Sequence, residues 1–243
     1  MNRKNIYIML IILFAGTQLW SAQVPWSIGE NLRFSVQYGA ITAGEALMQV
    51  EGYSTVAGHQ TYHLISFLRT NDYFSKIFKI NDRYESFMDV NLLATRKFIK
   101  DINEGSYSSQ RETIFIPEMN VVIYGEDEKY PIEEQTQDLL SCIYYARILP
   151  LTVGESYPIN IHDSKKNFPG TIEVLREETV STPLGEFNCV VVRAYAEGAT
   201  IFASRNGLEV WYTNDEWHIP VLVSLKIMVG SIQMVLVDAD MGV

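Results

Sequence analysis

A period-two alternation of apolar and polar residues runs through this chain and constrains its fold more than any other feature. In the first such stretch, Leu32, Phe34, Val36 and Tyr38 alternate with polar side chains, which is typical of a strand with one buried face. Many short strands separated by turn residues predict a mainly β protein, built as an antiparallel curved sheet that is partly open and barrel-like. Comparable runs follow almost to the C-terminus: Tyr62–Leu68, Arg83–Val90, Thr95–Asp101, Tyr107–Ile116, Val121–Tyr124, Ser156–His162, Thr171–Arg176, Phe187–Ala194, Leu208–Thr213, Pro220–Ile227 and Ser231–Val237.

One segment lacks this alternation. Residues 136–149 are apolar nearly all round a helical projection, Thr136 can cap the N-terminus, and Pro150 stops the run. We therefore expect one buried helix over about 136–149, which packs into the curved sheet or closes it.

The chain before this segment and the chain after it share residues at a near-constant spacing. Gly29-Glu30 corresponds to Gly154-Glu155, and the same spacing recurs along both halves. The pattern predicts an internal duplication of two β modules, 29–116 and 154–238, joined by a linker that contains the helix. Chance is the alternative, because Gly and Asp favour turns anywhere. The other matched pairs are Gly58 with Gly185, Asp89 with Asp215, Lys100 with Lys226, and Gly105-Ser106 with Gly230-Ser231.

The N-terminus has the features of a secretory signal peptide. Two basic residues precede the apolar run Ile6–Ala15, and Ser21-Ala22 supplies small residues at the cleavage position. That run has about half of the roughly twenty residues that a membrane-spanning helix needs, so an uncleaved anchor is the less favoured alternative. We expect cleavage after Ala22, no stable membrane span, and a single β-rich domain over 23–243 that is soluble in the periplasm or outside the cell.

Charge and cysteine content limit the possible partners and chemistry. The chain has 19 basic and 29 acidic residues, a formal net charge of -10, and such a surface repels phosphate backbones. Nucleic acid is therefore not an expected partner. Cys142 and Cys189 have apolar neighbours, which favours two buried thiols, although an exported protein can also form a disulfide.

Several segments resemble an exported bacterial family known as domain of unknown function 3108. The resemblance runs in order over nearly the whole chain after the leader. It implies an exported, β-rich envelope protein, and it implies no activity, cofactor or catalytic residue because that family has no agreed function. The segments that carry it are GENLRFSVQYGAITAGEA (29–46), DRYESFMD (82–89), QDLLSCIYYARILPLTVGE (137–155), GEFNCVVVRA (185–194) and LEVWYTNDEWHIPV (208–221).

Two groups of side chains are candidates for ligand binding. Arg83, Glu85 and Asp89 share one face of the predicted strand 83–90, where charges can bind a polar group or act as acid and base. A cross-strand ion pair on a wet face is the alternative. Trp211 and Trp217 flank a turn that carries an acid; such rings can hold a sugar or a cation, or simply cover the end of a sheet.

No nucleotide, metal or hydrolase motif occurs in the sequence. We therefore expect no cofactor and no metal, and assign no catalytic residue. Three functions stay open: non-enzymatic binding inside the sheet of an apolar or lipid-like ligand or an envelope polymer, an interaction or scaffolding role with an envelope protein, and a hydrolase that uses carboxylates such as Glu85 and Asp89. An apolar cavity of a few hundred Å³ would favour the first function, and a filled core the second.

Overall fold

Fourteen strands in the described part of the chain form one antiparallel sheet. The computed structural model describes residues 24–196, 208–226 and 230–242. The mainly β, barrel-like class predicted from the sequence is confirmed. The strands are β1 Glu30–Tyr38, β2 Ile41–Val56, β3 His59–Thr70, β4 Asn81–Asp89, β5 Thr95–Glu104, β6 Tyr107–Ile116, β7 Val121–Tyr124, β8 Glu128–Pro131, β9 Ser156–Asp163, β10 Lys166–Thr182, β11 Gly185–Ala196, β12 Leu208–Thr213, β13 Pro220–Lys226 and β14 Ser231–Met241; one helix, α1, spans Ser141–Arg147, and two short 3-10 helices span Phe74–Lys76 and Pro117–Met119.

The strands form two meanders that meet where β1 pairs with β14. Their order across the sheet is β8-β7-β6-β5-β4-β3-β2-β1-β14-β13-β12-β11-β10-β9. Because every neighbour is antiparallel, the turns alternate between two ends of the sheet. We call the end with the β1–β2, β3–β4 and β5–β6 connections the upper end, and the opposite end the lower end.

β8 and β9, the two edges of the sheet, are not paired as strands, but contacts from the segment after β8 to β9 and from β10 to β8 link the two edges. Gln137 forms a parallel bridge with Ile161, in which the Gln137 N–H donates to the Asn160 carbonyl at 2.8 Å. The Asn167 side-chain amide donates to the Pro131 carbonyl at 2.6 Å. The sheet is therefore barrel-like without a continuous ladder around it.

Helix α1 is shorter than the predicted 136–149, and Thr136 is not its cap. The backbone of Thr136 accepts a hydrogen bond from the Thr95 N–H at 3.2 Å, and Gln137 bonds to β9, so these residues belong to the sheet edge. The cap is Asp138, whose Oδ1 accepts the N–H of Leu140 at 2.7 Å and of Ser141 at 2.8 Å.

Asp138 also fastens the helix to the sheet. The carboxylate is fully buried and accepts hydrogen bonds from the hydroxyls of Ser86 on β4 at 2.5 Å and Thr95 on β5 at 2.8 Å. Burial raises the pKa of Asp138 above its usual range, because the loss of solvent outweighs the hydrogen bonds that the carboxylate accepts.

The helix divides the interior between two apolar clusters. Leu140 and Tyr144 pack with the first cluster, which is centred on β1 to β7, whereas Cys142 and Ala146 pack with the second, on β9 to β13. Both cysteines are buried free thiols, and burial raises the pKa of Cys189 to about 11. The structure thus has the two buried thiols that the sequence favours, and Cys142 and Cys189 do not form a disulfide.

A buried ion pair anchors the helix at the lower end. Arg147 donates to both carboxylate oxygens of Glu30 at 2.6 and 2.8 Å, and neither side chain is exposed. The guanidinium also donates to the carbonyls of Pro25 and Trp217 and lies over the ring of Trp26. The Arg147 side chain thus connects α1 to the segment before β1, to β1 itself and to the β12–β13 turn.

Candidate functional site

The space beside the helix in the interior of the sheet is small. Between the helix and the second meander lies an apolar cavity of only about 20 Å³, lined by residues that include Ala146, Ile172 and Val210. Such a volume holds roughly one water, whereas ligand pockets are on the order of 300–1,000 Å³. An acyl chain does not fit there.

Arg83 and Glu85 lie together on a face of β4 that points away from the core clusters. Arg83 donates to Glu85 at 2.8 Å, and His63 on β3 lies 2.7 Å from the other Glu85 oxygen. Burial acts to raise the pKa of Glu85, but the hydrogen bonds from Arg83 and His63 outweigh it and hold the pKa below its usual range. Both oxygens of the Glu85 carboxylate are therefore hydrogen-bonded to cationic or imidazole partners within the protein.

Asp89 lies apart from that pair and organises a turn. Its Oδ1 accepts the N–H of Asn91 at 2.8 Å and of Leu92 at 2.9 Å, while Oδ2 binds the buried guanidinium of Arg96 at 2.8 Å. Burial acts to raise the pKa of Asp89, and these hydrogen bonds lower it on balance. Both oxygens of the Asp89 carboxylate are therefore already hydrogen-bonded within the protein.

The two tryptophans occupy different environments. Trp211 on β12 is only 6% exposed and packs into the first apolar cluster, whereas Trp217 in the β12–β13 turn is 38% exposed. Arg83 and Glu85 are thus together, and Asp89, Trp211 and Trp217 do not join them in one cleft. Ligand binding by these five residues stays a prediction.

The largest exposed apolar side chains are concentrated at the upper end. Tyr73, Ile77 and Phe78 lie in the β3–β4 connection and Tyr107 begins β6; they are between 52% and 70% exposed. We call these four residues the upper end surface. Ile41 and Ile232, at the same end of the sheet, are also exposed.

Hydrogen bonds hold the β3–β4 connection between its neighbours. The Asn71 side chain donates to the Thr42 carbonyl at 2.7 Å on one side, and on the other the Gly105 N–H donates to the Lys79 carbonyl at 2.7 Å. A Cβ on Gly105 would come within 3.0 Å of the Phe78 ring, so this ring lies directly on the β5–β6 turn. The connection is thus a fixed platform and not a free loop.

Sequence reasoning passed over this surface. Its signal was the run YFSKIFK (73–79), which places three large apolar residues on exposed positions between two strands, where turn residues are normally polar. Lys76 and Lys79 lie within the same run and are exposed.

Comparison with known families places the whole sheet in one of them. The model of the family described as protein of unknown function DUF3108 matches residues 33–237. The chain belongs to this family. The DUF3108 match covers β1 to most of β14 and confirms the resemblance found in the sequence. A comparison with curated proteins found no match.

A solved structure shares the fold of this DUF3108 chain at low sequence identity, and others match it at lower TM-scores. A β-barrel-like protein of family DUF1849 from Brucella abortus matches with a TM-score of 0.59 and 10% identity, over 90% of this chain and 99% of that one. A DUF1089 protein from Pseudomonas aeruginosa matches with a TM-score of 0.45 and 11% identity over 75% and 89%. A protein from Parabacteroides distasonis, provisionally described as a lipoprotein, matches with a TM-score of 0.40 and 11% identity over 89% and 98%.

Among the described residues, no helix has both the length and the apolar composition needed to cross a membrane.

Proposed function

We propose that this DUF3108 protein is an exported envelope protein that acts by surface contact, through its upper end surface, without catalysing a reaction. The observation that carries the proposal is the set of four large apolar side chains held exposed at one end of the sheet. Monomeric proteins seldom leave such side chains clustered in water, and clusters of this kind mark interaction sites.

The small volume of the apolar cavity beside the helix supports surface contact over enclosure of an apolar ligand. The cavity beside the helix is about 20 Å³, and residues of α1 pack into both apolar clusters. The candidate carboxylates favour neither binding nor hydrolysis, because Glu85 is paired with Arg83 and His63 and Asp89 with Arg96. The leader predicted over residues 1–22 lies outside the described residues, and it supplies the argument for export.

Photo-cross-linking in the cell tests this proposal. A benzoylphenylalanine replaces Phe78, and in a matched strain it replaces Tyr53, an aromatic residue of similar exposure near the lower end of β2. We expect a cross-linked species, whether lipid, polymer or protein, from position 78 and little from position 53. No adduct at position 78, or equal adducts at both positions, would overturn the proposal.

Native mass spectrometry tests the ligand alternative. Protein purified from its own envelope without detergent should show the mass of the polypeptide alone. A stoichiometric lipid that survives purification would restore the interpretation in which the sheet encloses an apolar ligand.

A further inference from the structure

We propose that the upper end surface docks on a lipid bilayer that carries anionic headgroups. This inference rests on the proposed function and names the partner of the same surface. The observation behind it is that two unpaired lysines lie among exposed apolar side chains on one fixed connection between strands.

The apolar part of the surface has the composition of an interfacial membrane anchor. Ile77 is 70% exposed, Tyr73 67% and Phe78 52%, and all three lie within six residues of one another. Aromatic rings with one polar edge, such as Tyr73 and Tyr107, are enriched where a bilayer meets water. Aliphatic and phenyl side chains between them enter the boundary of headgroups and acyl chains.

The charge distribution selects an anionic surface as the partner. The protein as a whole has a formal charge of -10, which repels it from acidic membranes. In the connection, by contrast, Lys76 and Lys79 stand against one acid, Asp72, and neither lysine forms an ion pair among the described residues. In the described part of the chain, these two cations without an ion pair lie among exposed apolar side chains, a combination that anionic headgroups would attract.

Neighbouring acids are engaged with the protein itself. Glu104, at the end of β5, shares a hydrogen bond with the buried carboxyl of Asp82, and burial together with this neighbour raises the pKa of Glu104. Glu45, near the start of β2, is paired with Arg69. Arg69 therefore offsets the negative charge of Glu45 at this end of the sheet.

The size and stiffness of the surface favour a bilayer over a folded protein partner. A stable protein interface takes about 800 Å² from each side, supplied by roughly 20–30 residues. Here the apolar contact comes from four side chains on one connection and one hairpin. Hydrogen bonds from Asn71 to Thr42 and from Gly105 to Lys79 hold the connection in place. Docking therefore does not carry the entropy cost of ordering a loop.

Vesicle co-sedimentation tests the inference with protein purified after export. The probes are vesicles of phosphatidylcholine alone and of phosphatidylcholine with one-third phosphatidylglycerol, at low and at physiological salt. We expect binding to the anionic vesicles that weakens as salt rises, and little binding to the neutral ones.

Three variants separate the contributions. The pair Ile77→Ser with Phe78→Ser removes apolar contact, the pair Lys76→Gln with Lys79→Gln removes the charges, and Tyr53→Ser is the matched control at the other end. Loss of the two lysine charges should weaken binding to anionic vesicles at least about tenfold, because such a surface attracts each of them. Loss of the two apolar side chains should weaken it by a similar factor, because they enter the boundary of headgroups and acyl chains. Tyr53→Ser should bind like the parent, and thermal melting confirms that all variants fold.

The outcomes distinguish this inference from the proposed function. Absence of binding to anionic vesicles, or binding that both variant pairs keep, overturns the inference. If that happens while position 78 still cross-links to a protein or polymer in the cell, surface contact stands and only the bilayer is wrong. If position 78 also fails to cross-link, both proposals fall.

Discussion

At the scale of single residues, buried charges are the contacts that hold distant parts of this chain together. Glu30 and Arg147 are 117 residues apart in sequence and form a fully buried pair. Asp89 and Arg96 form a second, with Glu118 as a partly exposed partner of the same guanidinium. Removal of one partner of such a pair should lower the stability of the fold more than removal of both partners.

Replacing Arg147 alone with Met should lower the free energy of unfolding more than replacing both Glu30 and Arg147 with apolar residues. The single change leaves the Glu30 carboxylate buried without a partner, at a cost of about 3–5 kcal/mol in the free energy of unfolding. The double variant Glu30→Leu with Arg147→Met removes both charges and should recover part of that loss. Urea unfolding of both variants measures the difference, and a double variant no more stable than the single one would contradict it.

The Arg96 network predicts an acid-sensitive part of the stability. Hydrogen bonds from Arg96 lower the pKa of Glu118 to about 2, and the pKa of Asp89 is also lowered on balance. Carboxyls with a lowered folded-state pKa stabilise the protein above their unfolded pKa of about 4 and lose that contribution as the pH falls through the folded value. Stability should therefore decline between about pH 4 and pH 2.

Arg96→Met tests this pH dependence. The variant should show a shallower decline of unfolding free energy over the acid range than the parent does, besides a lower stability at neutral pH. Lys97→Met is the matched control, because Lys97 is the next residue on β5 and forms its ion pair with the exposed Glu112. An unchanged acid slope in Arg96→Met would mean that the decline comes from other carboxyls.

At the scale of elements, alternation and turn residues predicted most strands, whereas the helix boundaries required tertiary information. Apolar residues around Thr136 and Gln137 fit a helical projection, but their backbone groups bond to β5 and β9. The sequence around Thr136 and Gln137 gives no sign of β5 and β9, which bind the backbone groups that a helix would otherwise use. The same holds for the upper end surface, whose exposure depends on neighbouring turns that are remote in sequence.

We propose that the two meanders arose by internal duplication, as the sequence spacing predicts. Strands β9 to β14 each begin 124 to 127 residues after β1 to β6. The matched glycines Gly29 and Gly154 have φ of 89° and 92°. Asp215 accepts the N–H of Trp217 and His218, just as Asp89 accepts those of Asn91 and Leu92. Matched residues with the same local role support a repeat over chance.

Helix α1 should not tolerate a charge on the side that faces the second cluster. Ala146 is 4% exposed and lines the small cavity, so Ala146→Asp buries a carboxylate that no described residue can pair. The expected cost is several kcal/mol, enough to prevent folding in many domains. Ala40→Asp, in the exposed β1–β2 turn, is the control. Circular dichroism melting of the two variants tests this expectation. Similar melting temperatures would mean that the helix is not part of the core.

At the scale of the whole molecule, the barrel-like sheet was predictable because most of its strands carry their own alternation and turns. What could not be predicted is how the lower end closes. Trp26 lies only 4% exposed, with its ring edge-on to Tyr62 at 5.6 Å and to Tyr144 at 5.4 Å. Nothing local to a tryptophan beside a proline indicates that it packs against both the sheet and the helix.

The packing of this N-terminal segment sets where the folded domain begins. Val24 packs on the first cluster, and the Pro25 carbonyl accepts a hydrogen bond from Arg147 at 2.7 Å. A chain that starts at Gln23 should therefore be as stable as the full chain, as expected for cleavage after Ala22. A chain that starts at Ile28 lacks Trp26 and should lose about 3–5 kcal/mol, the usual cost of deleting a large buried aromatic side chain. Trp26→Ala in the longer chain should reproduce most of that loss in urea unfolding. If the chain that starts at Ile28 unfolds at the same urea concentration as the longer one, the segment from Gln23 to Ser27 does not close the lower end, and the domain begins at β1.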